Sequence, residues 1–236
     1  MNTMSKQNEP ITILLTGSVI QNHPGILSTG IQNSWERLSD YLCAIPLWLA
    51  EPEIEHVIYC DAGGFKIPEE IFESPKFESL ELDLKEICRK RGKGTGEAMS
   101  MEYAMQHSRL LGKNFFKCTG RLFVKNFSEI LQTMTPIQPY FYLCKDHKVQ
   151  WGDTRFYWMN RDCYEESLQP FLDRMNDFEG RIAEFIYYYH AQEYRQLPQP
   201  VYIGRSGHTG QIYAEYFSDE VHANAVRLMK KLNPSL

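Results

Sequence analysis

Nine consecutive residues, Arg89-Lys90-Arg91-Gly92-Lys93-Gly94-Thr95-Gly96-Glu97, place four cations and three glycines ahead of a helical pattern, in a chain of formal net charge -5. Glycine lets backbone N–H groups approach a ligand closely. A helix N-terminus adds orphan donors and the positive end of the macrodipole. Together they suit a phosphate or diphosphate, with Lys93 and Gly94 as the candidate contacts. The spacing matches neither the Walker pattern nor Gly-x-Gly-x-x-Gly in a dinucleotide register, and a basic surface turn is the plain alternative.

Four more groups of residues could act on the same anion or on what it carries. Lys117-Cys118-Thr119-Gly120-Arg121 sets two cations around a strand end; Arg offers a fork for a phosphate and Lys a point charge. Solvated strand-edge cations are the alternative there. Asp61 closes another strand, where it could accept from a ribose hydroxyl or a base N–H, or simply shape the turn. Asp153, opening an aromatic strand, and Glu184, on an aromatic helix, are candidate general bases, with strand initiation and a solvated helix face as their plain readings. Gly204 to Gly210 is a second glycine-rich turn, with Ser206, His208 and Thr209 as donors.

The elements that would position these groups alternate. Ile11 to Thr16 reads as a buried strand ending at Gly17-Ser18, followed by a loop with Asn22, His23, Pro24, Gly25 and Gly30. Asn33 or Ser34 could cap a helix carrying Trp35, Leu38, Leu42, Ile45 and Leu49, which Pro46 is expected to kink or end. Strands are expected at 56–60, around 80–82 and at 114–119, and a helix from Glu97 to Leu111. Aromatic segments 139–144 and 154–159 could pair as a hairpin around a turn at 146–152. Helices follow at 161–174 and 181–194, a strand at 201–203 and a last helix at 219–232. Residues 1–10 read as disordered. The alternation predicts an α/β three-layer fold, its sheet mostly parallel and mixed, with helices on both faces. Ligands of such sheets bind at the carboxyl ends of the strands, where Gly17, Ser18, Asp61 and Lys117 to Arg121 fall.

Composition bounds the function. The acidic balance argues against bulk nucleic-acid binding. An aromatic share of 13% is read first as a Tyr/Phe-rich core. No apolar run reaches the length of a membrane span. No hydrophobic run follows the polar start, so no signal peptide is expected. Six cysteines without CxxC pairs read as reduced thiols rather than a zinc site or disulfide framework, and the expected location is the cytoplasm. Gly-x-Ser-x-Gly is absent, which argues against a hydrolase. Asp-x-Asp is absent too, so a divalent cation is not favoured.

Four segments in order resemble a family of small bacterial glycosyltransferases from gene clusters for capsule, O-antigen and other surface polysaccharides. They are Gly92 to Glu97, Lys117 to Arg121 with Asn126 after it, Asp153 to Phe156, and Ser206 to Tyr213. The resemblance runs from Ile11 to about Tyr213. It implies a GT-A-like, Rossmann-like domain over 11–236, nucleotide-binding to about residue 125 and acceptor-side beyond it. It also implies a nucleotide-sugar donor and a carbohydrate acceptor, which if lipid-linked would bring peripheral membrane contact. Gly17, Ser18 and Asp61 would hold the nucleoside, and Lys93, Lys117 and Arg121 the diphosphate. Arg205, Ser206 and His208 would close over the donor. Asp153 or Glu184 would take the acceptor proton, with Trp151, Tyr157 or Trp158 stacked on sugar. A non-catalytic nucleotide- or phospholigand-binding module is the competing reading.

Overall fold

The computed structural model describes residues 10–20, 30–31, 33–134, 139–145 and 148–232. The expected disorder at 1–10 (all but Pro10), the loop residues Asn22 to Gly25 and part of the 146–152 turn lie outside them.

The first half follows the predicted alternation. β1 (Thr12–Gly17) leads to α1 (Ser34–Ala50), then β2 (His56–Asp61), a 3-10 turn at Glu69–Phe72 and β3 (Phe77–Glu81). α2 (Lys85–Arg91), α3 (Lys93–His107), β4 (Asn114–Thr119), β5 (Leu122–Val124) and α4 (Phe127–Thr133) complete it. The second half is more broken: β6 (Tyr140–Phe141), β7 (Leu143–Cys144), β8 (Trp151–Gly152), β9 (Phe156–Asn160), α5 (Arg161–Ser167), 3-10 turns at Gln169–Arg174 and Asp177–Glu179, α6 (Ala183–His190), β10 (Arg195–Gln196), β11 (Tyr202–Gly204) and α7 (Asp219–Leu232).

The main sheet has seven strands in the order β10-β6-β9-β4-β1-β2-β3. β3, β2, β1 and β4 run parallel, β9 runs against β4, and β6 and β10 resume the first direction. β1 is buried throughout apart from half-buried Gly17, as expected of a central parallel strand. The α/β fold, mostly parallel and covered on both faces, is therefore as expected.

The aromatic residues build both faces. Along β9, side chains alternate across the sheet. Phe156 and Trp158 pack with Phe116, Phe127 and Trp48 under α1 and α4. Tyr157 turns the other way, donating its hydroxyl to Met101 Sδ of α3 at 2.8 Å and stacking on Phe141. Tyr157 and Trp158 are thus core residues and not a platform for sugar. The apolar face of α7 is also committed, with Ala225 and Leu228 buried against the core and α7 lying along α1.

Local differences have local causes. Asn33 does cap α1, its side chain accepting from the amides of Trp35 and Glu36. Pro46 does not end the helix, which runs on to Ala50 because Leu42, Ile45 and Trp48 are locked in the core. The 139–159 hairpin splits in two, β7 pairing with β8 and β6 with β9. α5 stops three residues before Pro170, and a 3-10 turn follows. No helix among the described residues is long and apolar enough to cross a membrane.

Candidate functional site

A cleft of about 550 Å³ opens at the carboxyl ends of β1, β2 and β4, lined by Thr16, Gly17, Ala62 and Thr119. The first turn of α3, the 177–184 segment and the 204–210 turn wall it. Gly17, Ser18, Lys93, Gly94, Thr119, Arg121, Glu184, Arg205, Ser206 and His208 all line it. Lys117, Asp153 and Asp61 do not.

The floor is built by residues that sequence reasoning passed over. Arg37 of α1 donates from Nε to the Ser18 carbonyl at 2.6 Å. Tyr41, one helical turn on, accepts from the Ser18 amide at 2.8 Å. A Cβ on Gly17 would lie 2.7 Å from the Tyr41 ring, so only glycine lets α1 approach the strand end this closely. Asp61 completes the floor from beneath. Its carboxylate, wholly buried, accepts from the Val19, Gly63 and Phe65 amides and from the Tyr59 hydroxyl. Burial raises its pKa while those donors pull the other way. Each carboxylate oxygen already accepts two hydrogen bonds from within the fold, so Asp61 shapes the turn and does not face a nucleoside.

Arg121 is different. It is 7% exposed, yet its Nε and Nη1 have no hydrogen-bond partner. Its guanidinium stands 6.0 Å from the Tyr41 ring centroid and lies directly under Gly207, where any Cβ would overlap Nη2. Thr16 Oγ1, also buried in the cleft, is likewise without a partner. Buried donors left unmade are costly, which makes this guanidinium the candidate contact for an anionic ligand. Gly207→Ala is expected to push this guanidinium aside and weaken binding of an anionic ligand in the cleft about tenfold while Tm changes little. Isothermal titration beside a melting curve checks both halves.

The glycine-rich segment folds otherwise than expected. Arg89 to Arg91 form the last turn of α2, and Gly92 (φ 93°) turns the chain into α3, which starts at Lys93 rather than Glu97. Asp177 then caps α3, accepting from the Gly94 amide at 3.2 Å, and a Cβ on Gly92 would overlap its carboxyl. A carboxylate of the chain itself therefore meets the helix dipole there. Its pKa is raised by burial, against the pull of the Gly94 amide and of Lys93. Lys93 keeps its place in the cleft, its pKa lowered by the protein crowding it and held up by Glu184 and Asp177. Glu184 has its pKa raised, first by burial and then by Glu97 and Asp177.

Two expected site residues are turned inward. Lys117 is wholly buried on the α3 face of β4, its Nζ donating to Glu97 Oε1 and to the Thr154 carbonyl, each at 2.6 Å. It fixes Glu97 at the cleft wall and does not reach the cleft itself. Asp153 is equally buried and receives Arg155 Nε and Nη2 at 2.7 Å each, with the Tyr202 hydroxyl at 2.8 Å. A carboxylate so saturated has no lone pair aimed at an acceptor, so Asp153 positions Arg155, which does line the cleft.

In the 204–210 turn, Arg205 donates to the buried Asp40 at 2.8 Å and pairs with Glu36. It latches the turn to α1. Ser206 Oγ accepts from the amides of His208 and Thr209, leaving the exposed His208 side chain at the cleft rim. Among the described residues no group of three His, Cys, Asp or Glu side chains stands as a metal ligand set.

No protein-family model and no curated protein sequence matches the chain. Among solved structures, the inositol-1-phosphate CTP transferase from T. maritima is similar with a TM-score of 0.49 at 9% identity, covering 94% of this chain and 96% of that one. The 4-diphosphocytidyl-2C-methyl-D-erythritol synthase from Anaerococcus prevotii DSM 20548 is similar with a TM-score of 0.47 at 8% identity and the same coverage. Likeness at this level carries nothing about the site, whose chemistry follows from this chain's own residues.

Proposed function

We propose that the protein is a glycosyltransferase that moves a sugar from a nucleotide-sugar donor to a hydroxyl of a growing bacterial surface glycan, capsule or lipopolysaccharide O-antigen. The observation that carries this reading is Arg121, a buried guanidinium with two unpartnered nitrogens in a cleft at the carboxyl edge of a parallel sheet. Ligands of such sheets sit there. The sequence resemblance supplies the donor and acceptor classes.

In this reading Gly17 and Ser18 receive the nucleoside, and Arg121 and Lys93 the diphosphate. The bond between the anomeric carbon and the diphosphate oxygen breaks, and its electron pair stays on the leaving diphosphate. Fixed cations that meet this growing charge stabilise the transition state more than the ground state. The acceptor oxygen bonds the anomeric carbon as its proton passes to Glu184, which takes the role expected of Asp153. His208 and Ser206 close the rim.

Glu184 gives this chemistry a pH signature. A base works only when deprotonated, and burial raises this carboxyl's pKa. Transfer is therefore expected to fall on acidification through a pKa above the usual carboxylate value of about 4.3. Glu184→Gln is expected to remove that limb and about 10²–10⁴-fold of the rate. A profile of kcat/KM against pH on both forms checks it.

The competing reading, a module that binds nucleotide without turnover, is favoured by one observation: Asp177 already accepts from the Gly94 amide, which leaves the start of α3 one donor fewer to turn on a leaving phosphate. The deciding experiment incubates the purified protein with UDP-, GDP-, CMP- and dTDP-sugars, with and without acceptor glycans, and follows nucleotide release. Release that needs an acceptor is the expected result. Nucleotide binding with no release for any pair would give the protein to the second reading.

A further inference from the structure

Two arginines face the same cleft with opposite electrostatic surroundings. Among the described residues no carboxylate pairs with Arg121, whose Nε and Nη1 make no hydrogen bond. Arg155 is neutralised by a two-point bond to Asp153, which is itself fixed by the Tyr202 hydroxyl. The Arg155 guanidinium also lies 4.5 Å from the Tyr202 ring centroid, 5.0 Å from Tyr213 and 5.4 Å from Trp151. Its side chain stays 28% exposed. Tyr213 lines the cleft beside it, held by its amide on the Gly204 carbonyl at 3.1 Å.

Such an assembly is poorly suited to an anion, because its charge is already met. It offers N–H donors in a fixed plane beside half-buried aromatic rings. A sugar ring presents the matching surface: neutral hydroxyls along one edge, and a C–H face that packs on an aromatic ring. A buried ion pair that locks the donors in place makes their direction, rather than their charge, the useful property.

We infer that Arg155 and Tyr213 form a hexopyranose subsite in this cleft, separate from the phosphate contact at Arg121, with Arg155 positioned by Asp153 and Tyr202 and backed by the Trp151 ring. The inference rests on the transferase reading in that the two subsites share one cleft. The sugar is either the one carried by the donor or the terminal residue of the acceptor. Neither changes the chemistry of recognition.

Saturation-transfer NMR separates the possibilities on the intact protein. The probes are UDP-glucose, UDP-galactose, UDP-N-acetylglucosamine and GDP-mannose, together with UDP, GDP and the free sugars and disaccharides of the same residues. Tyr213→Ala is expected to reduce saturation of sugar protons about tenfold or more while ribose and base protons keep theirs. Loss confined to the nucleotide-linked sugar names the donor as source; loss confined to the free saccharides names the acceptor. Arg155→Lys is expected to act the same way, keeping a cation on Asp153 so that the fold survives. Should that variant unfold, Tyr213→Ala still decides. Arg121→Met is expected to do the reverse, abolishing nucleotide signals and sparing free sugar. The subsite is overturned if sugar protons saturate equally in wild type and Tyr213→Ala, if base and ribose protons fall along with them, or if no sugar proton saturates. Absence of nucleotide signals in the wild type would overturn the transferase reading instead, and the free-sugar comparison would still stand.

Discussion

Arg121→Met is expected to lower transfer about 10²–10³-fold while leaving the free protein as stable as before, or more so. The two halves have one cause. In the free protein Nε and Nη1 are buried and make no hydrogen bond, and a buried, unmatched charge is a cost to the fold. Methionine of similar length fills the space under Gly207 without that cost. In the ligand complex the same nitrogens would meet the diphosphate, where a fork-shaped donor in a dry site is at its strongest. Arg121→Lys is expected to recover only part of the activity, since an ammonium lacks the fork. Kinetics beside denaturant melts check the trade. A variant that unfolds readily would mean that Arg121 is a structural residue whose partner is within the fold.

The largest loss of stability is expected from Asp61→Ala. Removing this carboxylate strands three backbone amides and the Tyr59 hydroxyl at the bottom of the sheet edge. Leaving buried donors unmade costs about 1–3 kcal/mol each where nothing relaxes, and about 3–5 kcal/mol in total is the expected loss here, since the turn relaxes in part. For a chain of this size that is a fall of about 10 °C in Tm. Asp61→Asn is expected to fall between, since an amide oxygen still accepts but its NH2 adds donors to a site already full of them. Thermal unfolding followed by circular dichroism measures both. A loss of nucleotide affinity with no loss of stability would return Asp61 to the ligand.

How much of this was legible depends on the reach of the interactions involved. Strand alternation, the Asn33 cap and the Gly17-Ser18 strand end are local, and they read correctly. The carboxyl edge of the sheet also gathers ten of the expected residues around one cleft. What failed was pairing across the chain. Nothing in the run around Lys117 says that Glu97 waits 20 residues away, and nothing around Gly94 says that Asp177, 83 residues on, will cap the helix. Asp153 misled for a subtler reason. Its partner Arg155 stands two residues away in plain view, but whether a carboxylate faces solvent or its neighbour depends on burial, which comes from β11 and Tyr202 far along the chain. Arg121 was chosen for its charge. That it alone among the expected cations ends buried with open nitrogens is a property of the packed fold.

In the proposed reading Arg121 receives the phosphate of a nucleotide. The most direct test is a thermal-shift comparison of wild type and Arg121→Met against UDP, GDP, CMP and dTDP, each in EDTA and in Mn²⁺. A ligand bound only to the native state raises its stability by mass action, about 2.7 kcal/mol at one hundred times Kd. The expected result is a shift with one nucleotide class in the wild type that survives EDTA and vanishes in the variant. A shift of equal size in both proteins, or none with any nucleotide, would contradict it.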